Sequence, residues 1–344
     1  MLHVDRYGLA LTAGADAVAA YNRGIGHLLR LERGAVEAVA SAVAFDQTFA
    51  LGHAALALLG HEFCAPVDVG SRMRDARLHA RRSTERERSH VHAVDRHLAG
   101  DSAPLVQHLE RYPADALLLS VAVPTIAFAG VTTVPEQAWR IVEQCGPAYG
   151  NDWWYAGLLA FMRQEQGLFD EAMDLSRASL ADEPAAGHSA HARAHAHYET
   201  ADHAAGLAWM DDWITGAGAR ADSLTHFSWH AALHELAMGD TEAVRQRYYT
   251  QLAPPTVTGV RALIDSASLL WRWVVTTSGW DAAAGTGAFA GETAPPPVEC
   301  VLDAAGSDLV DRPETPFVAL HSALALAAAS DLPRLARLHA HCAD

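Results

Sequence analysis

Eight of the chain's twenty histidines fall in one stretch: His188, His191, His195, His197, His203, His226, His230 and His234. His191/His195, His226/His230 and His230/His234 are spaced i,i+4, which stacks the two rings of each pair on one face of a helix. An imidazole with an ordinary pKa of ~6.5 can take up or release a proton near neutral pH, and it is also a common ligand for transition metals. Trp229 sits between His226 and His230 and can provide an apolar wall. Asp265 interrupts the apolar run R-A-L-I-D-S-A-S-L-L-W-R-W-V-V and could orient a histidine ring from a buried position.

Other chemistries are excluded by what the chain lacks. It contains no lysine, so it can form no Schiff base, anchor no pyridoxal phosphate and build no P-loop. No G-x-S-x-G or H-E-x-x-H occurs. Cys64, Cys145, Cys300 and Cys342 are far apart and form no C-x-x-C, which argues against a zinc ribbon or a disulfide framework and fits a reducing cytosol. No motif calls for a cofactor. The formal charge of -16 disfavours nucleic acid and anionic lipid as partners. No signal peptide or run long enough for a membrane span is evident, so a cytoplasmic protein is expected.

The elements that must hold the histidines are helices. Alanine is abundant and sustained strand alternation is absent. After an alanine-rich lead-in over residues 1–20, helical segments run from Tyr21 onward, with Asp46 a candidate N-cap for the third. Arg72–Arg88 mixes bases and acids at helical spacing and reads as one solvated face laced with ion pairs. Turn glycines recur at Gly100, Gly130, Gly167 and Gly239, close to the ~34-residue tetratricopeptide period or a small multiple of it. Trp153–Pro184 is the best copy of this unit, and Gly187–Asp212 is a degenerate one without the turn glycine. The expected fold is all-α, with tetratricopeptide-like helical hairpins forming a curved right-handed superhelix over residues 1–275. A Pro/Gly/Ala-rich linker or long loop follows over 276–297, and helices over 298–344 pack on the same repeat domain.

Several pieces, taken in order, resemble the tetratricopeptide repeat protein thirty-eight family and its bacterial members: F-A-L-G-H-A around His53, R-E-R-S-H-V-H-A-V around His90, the Gly167 repeat with F-D-E-A, H-A-R-A-H-A-H, H-F-S-W-H and D-S-A-S-L-L-W-R. The similarity spans roughly Gly24 to Ser330. It implies an α-helical repeat fold with a histidine-rich centre, and it implies no particular reaction.

In a tetratricopeptide stack the first helix of each unit lines the concave face. Counting back from Gly239 puts His226, Trp229 and His230 on that face, and the preceding unit adds His188, His191 and His195. His197, His203 and His234 fall off it and read as packing or capping residues. His191, His195, His226 and His230 are therefore the candidate catalytic residues. His53, His90, Trp154, Trp229 and Asp265 are the candidate ligand contacts. Three readings stay open: a small-molecule pocket with histidine acid/base chemistry, an interaction scaffold holding a protein segment in its groove, and a histidine-bound metal.

Overall fold

The computed structural model describes residues 3–62, 65–123, 135–277, 295–313 and 315–343. About 74% of the chain is helical, and among the described residues the sheet is a single pair of two-residue strands, so the all-α class holds. Two compact units can be distinguished, Met1–Ala196 with Arg220–Asp222, and His197–Ala219 with Ser223–Asp344.

The first unit opens not with a helix but with a small antiparallel hairpin, β1 (His3–Val4) and β2 (Ala10–Leu11), in which His3 faces Leu11. Helices α1 (Ala15–Arg30), α2 (Ala35–Phe45), α3 (Ala50–Glu62), α4 (Val69–Ala80), α5 (Glu85–Leu98), α6 (Ala103–Arg111), α7 (Ala116–Ala122), α8 (Pro135–Cys145), α9 (Trp153–Glu165) and α10 (Phe169–Asp182) follow, with α11 (Gly187–Glu199) entering the second unit at His197. Residues Ala50 to Leu59 of α3 are buried without a break, so this helix is enclosed on every side, with His53 the one polar side chain in the run. Asp46 does not cap it. It stands at the end of α2, where its carboxylate binds Thr48 and the Gly14 amide.

Arg72–Arg88 is not one solvated helix. The chain breaks after α4, and Thr84 starts α5 with a capping box shared with Glu87. Glu87 is then buried, gripping the Thr12 amide and hydroxyl, while Arg86 reaches the Ala10 carbonyl. Sequence periodicity missed this because two buried charges meeting partners ~75 residues away leave no local pattern.

The second unit holds the last turn of α11, then α12 (His203–Thr215), α13 (Leu224–Ala237), α14 (Thr241–Arg247), α15 (Ser268–Thr277), α16 (Glu299–Ala305), α17 (Ser307–Asp311), α18 (Pro316–Ala328) and α19 (Leu332–Ala343). Wide-wound π segments extend α14 (Tyr248–Leu252) and precede α15 (Ala262–Ala267). Most of the expected linker, residues 278–294, lies outside the described residues, as does Gly130.

One turn is used over and over. At Gly100, Gly167 and Gly239 the chain passes through positive φ (84°, 75° and 79°), and the next amide bonds the carbonyl five residues back: Asp101 to Arg96, Leu168 to Arg163, Asp240 to Glu235. This is the Schellman closure of a helix end, which favours glycine because a Cβ crowds the left-handed region. Leu31, Ala201 and Ser330 adopt the same conformation (φ 56°, 57° and 54°) with the same pair of bonds. Glycine-based reading could not see these three, because their side chains tolerate the turn at a cost. In the Trp153–Pro184 unit, Ser179 donates to the Trp153 carbonyl and shares a 2.5 Å hydrogen bond with Ser189. A Cβ on Gly157 would come within 3.1 Å of the Ser189 amide, so small residues let α9, α10 and α11 approach closely.

Candidate functional site

In the second unit, α13 places His226, Trp229 and His230 within about one turn. His226 lies parallel to Trp229 with centroids 5.4 Å apart, and His230 stands edge-on to both at 4.7 and 4.9 Å. Asp265 is fully buried in the π segment Ala262–Ala267, and its Oδ1 is 2.8 Å from His226 Nδ1. An ionised carboxylate only accepts, so His226 donates from Nδ1, which fixes the ring's tautomer. Arg261 comes within 3.7 Å of the other Asp265 oxygen, and the Arg272 guanidinium sits 5.8 Å over the Trp229 ring. The sequence-based expectation that Asp265 is buried and orients a histidine matches this geometry.

The same helix turns His234 away from that cluster. Its Nδ1 is 3.2 Å from His203 Nδ1, Tyr198 packs on it, and the glycine at 206 leaves room for the His234 and His197 side chains. Burial first, then the neighbouring His203 and His197, push the His234 pKa down to about 4. His197 pairs with Asp202 at 3.2 Å. These three histidines have packing partners, in keeping with the role expected of them.

In the first unit, α11 brings His191 and His195 together, Nε2 to Nε2 at 3.0 Å. One of those nitrogens must carry the proton the other accepts. Phe161 of α9 lies flat against His191 at 5.3 Å and edge-on to His195. His188, one turn earlier, is buried, and burial lowers its pKa to about 3, which keeps it neutral. Trp154 touches the His188 ring edge-on, but it is wholly enclosed and packs mainly with Tyr149 and Tyr7.

His53 and His90 have partners of their own in this unit. His53 on α3 lies 3.0 Å from the Gln47 carbonyl through Nε2, stacks on His79, and has its pKa lowered by burial. His90 belongs to a hub that the sequence reading missed. One oxygen of Asp115 receives His90 Nδ1 (2.8 Å), His108 Nε2 (3.1 Å) and Arg86 (3.1 Å). Burial alone would raise the Asp115 carboxyl, yet His90, His108 and Arg86 together hold it well below the usual carboxylate range. The only sequence signal for the hub was the i,i+4 spacing of Arg86 and His90.

Among the described residues of the first unit, two side-chain groups bring three possible ligand atoms close enough for a metal: His90, His108 and Asp115, and His61, Glu62 and His97. The first is a poor fit, because Arg86 already supplies a cation to the shared oxygen. No family model matches the chain.

Proposed function

We propose that this chain is a tetratricopeptide-type helical-hairpin protein that binds a small organic molecule against His226, Trp229 and His230. The His226–Asp265 pair makes acid/base catalysis chemically available there. The observation that carries the reading is the 2.8 Å bond from a half-buried imidazole to a fully buried carboxylate, beside the face of Trp229. The carboxylate fixes the ring's tautomer beside an aromatic face, an arrangement that suits an imidazole exchanging a proton with a bound molecule. A flat molecule stacking on Trp229 and exchanging a proton with His226 fits the arrangement. The hydrogen-bonded His191/His195 pair, with Phe161 flat against His191, offers a second imidazole surface in the first unit.

The repeated Schellman turns, roughly one ~34-residue period apart at Gly167, Ala201 and Gly239, support the hairpin-repeat assignment, while the kinship to the tetratricopeptide repeat protein thirty-eight family rests on the sequence pieces alone. A cytoplasmic location belongs to the same proposal and rests on the scattered cysteines; among the described residues no helix is long and apolar enough to cross a membrane. The interaction-scaffold alternative has weaker support, because grooves that hold a peptide's C-terminal carboxylate draw on lysine, which is absent.

The test is a fragment screen by ligand-detected NMR on wild type, His226→Ala and Asp265→Asn. Planar heteroaromatic hits should bind the wild type and lose at least ~10-fold in affinity in both variants, with circular dichroism unchanged. Hits that bind all three proteins equally well would sink the proposal.

A further inference from the structure

His61, Glu62 and His97 have no part in the site above, yet they bring three donor atoms to one point. Glu62 Oε1 is 2.8 Å from His61 Nδ1 and 2.7 Å from His97 Nε2, and the three atoms lie within 4.8 Å of one another. The convergence is unusual for a helix. Adjacent residues point in directions that normally do not meet, but α3 ends at Glu62, and there both side chains turn toward α5, which carries His97. Glu62 and His97 expose only 4% and 7% of their side chains, whereas His61 is 46% exposed. Two enclosed donors and one that closes from the solvent side describe a site an ion can enter.

We propose that these three residues form a divalent transition-metal site, with zinc the ion that suits them best. Two imidazoles and one carboxylate are a mixed set that zinc accepts in tetrahedral geometry, leaving a fourth position for water. In such a site donors stand about 3.3 Å apart, so this cluster has to open by roughly half an ångström. The exposed His61 ring can supply that movement on its own side, and a rotation of the Glu62 carboxylate has to supply it between Glu62 and His97. His97 Nδ1 is 2.8 Å from Ser102 Oγ, which anchors the ring on the side away from Glu62. That is the outer contact that a metal-bound imidazole characteristically makes. The site is distinct from the His226–Asp265 pair, so either proposal can fail without the other.

The probe is zinc alone, titrated into the metal-stripped full chain at neutral pH by calorimetry. Cobalt(II) then serves as a spectroscopic reporter of tetrahedral coordination. The wild type should bind one equivalent with intense visible cobalt bands at this site. His97→Ala and Glu62→Gln should abolish that equivalent, and Ser102→Ala should weaken it roughly 10-fold. His61→Ala keeps the test sound should the buried variants unfold, since an exposed ring is dispensable for folding, and it too should lose the cobalt bands. A wild type that binds no zinc, or a His61→Ala variant that binds it as tightly, would overturn the assignment. The group would then be a carboxylate held between two imidazoles by hydrogen bonds alone.

Discussion

At the scale of single residues, the chain contains histidines in opposite electrostatic situations. His188 and His234 are buried where a positive charge is penalised, with pKa values pushed to about 3 and about 4. The unfolded chain, with histidines near ~6.5, takes up protons first as the pH falls. Depressed folded-state pKa values mean that the unfolded state binds more protons between those limits, so stability rises with pH through that window. Urea denaturation should show full stability above pH ~7 and a loss of a few kcal/mol on going from about 6.5 toward 4. His188→Asn, neutral throughout, should flatten this slope, and a slope unchanged by the substitution would mean that His188 is not the group responsible. His226 differs in kind, because it hydrogen-bonds a fully buried carboxylate, Asp265.

Asp115 is the shared acceptor of a buried cluster formed by Arg86, His90 and His108. Removing its carboxylate would strand the Arg86 guanidinium and leave two buried imidazoles without their shared acceptor. Breaking a buried pair from one side typically costs about 3–5 kcal/mol. Asp115→Ala should therefore lower the stability of the chain by about that much in equilibrium denaturation. A cost below ~1 kcal/mol would show that water or a rearranged neighbour replaces the carboxylate.

At the scale of elements, the hairpin turn is the repeating device, and its energetics can be tested at two positions. Gly167 is open to solvent at the Cβ position, so Gly167→Ala adds a side chain that meets nothing within 4 Å. The cost of that change is purely conformational, about 1 kcal/mol from forcing alanine into positive φ. Ala201 is the natural counterpart, an alanine already in that conformation. Ala201→Gly should stabilise by up to ~1 kcal/mol, reduced by glycine's greater freedom in the unfolded chain. Thermal melts of the two variants should move in opposite directions. The glycines at 100, 167 and 239 were legible because this turn prefers glycine, whereas Leu31, Ala201 and Ser330 perform it without the residue that announces it. The same limit explains Arg72–Arg88, where the Thr84 capping box splits an uninterrupted charge pattern into two helices.

At the scale of the whole molecule, composition and periodicity determined a great deal. Abundant alanine, few β-branched runs and recurring turn glycines specified helices and hairpins, because helix propensity and backbone sterics act within a few residues of the chain. The i,i+4 spacing brought His191 to His195 and His226 to His230, as helix geometry allows. The equally spaced His230 and His234 turn to different partners, so spacing offers a contact that packing decides. The sequence could suggest Asp265 as a buried partner, but only the tertiary structure decided that it meets His226, 39 residues away. Tertiary structure alone brought Asp115 under His90 and His108, and His97 against His61 and Glu62. These contacts join helices far apart in the chain, and no local pattern encodes them. Which side chains share a site depends on how whole helices pack. Which residues become helix, and which of their neighbours they can face within it, is written in the order of the residues themselves.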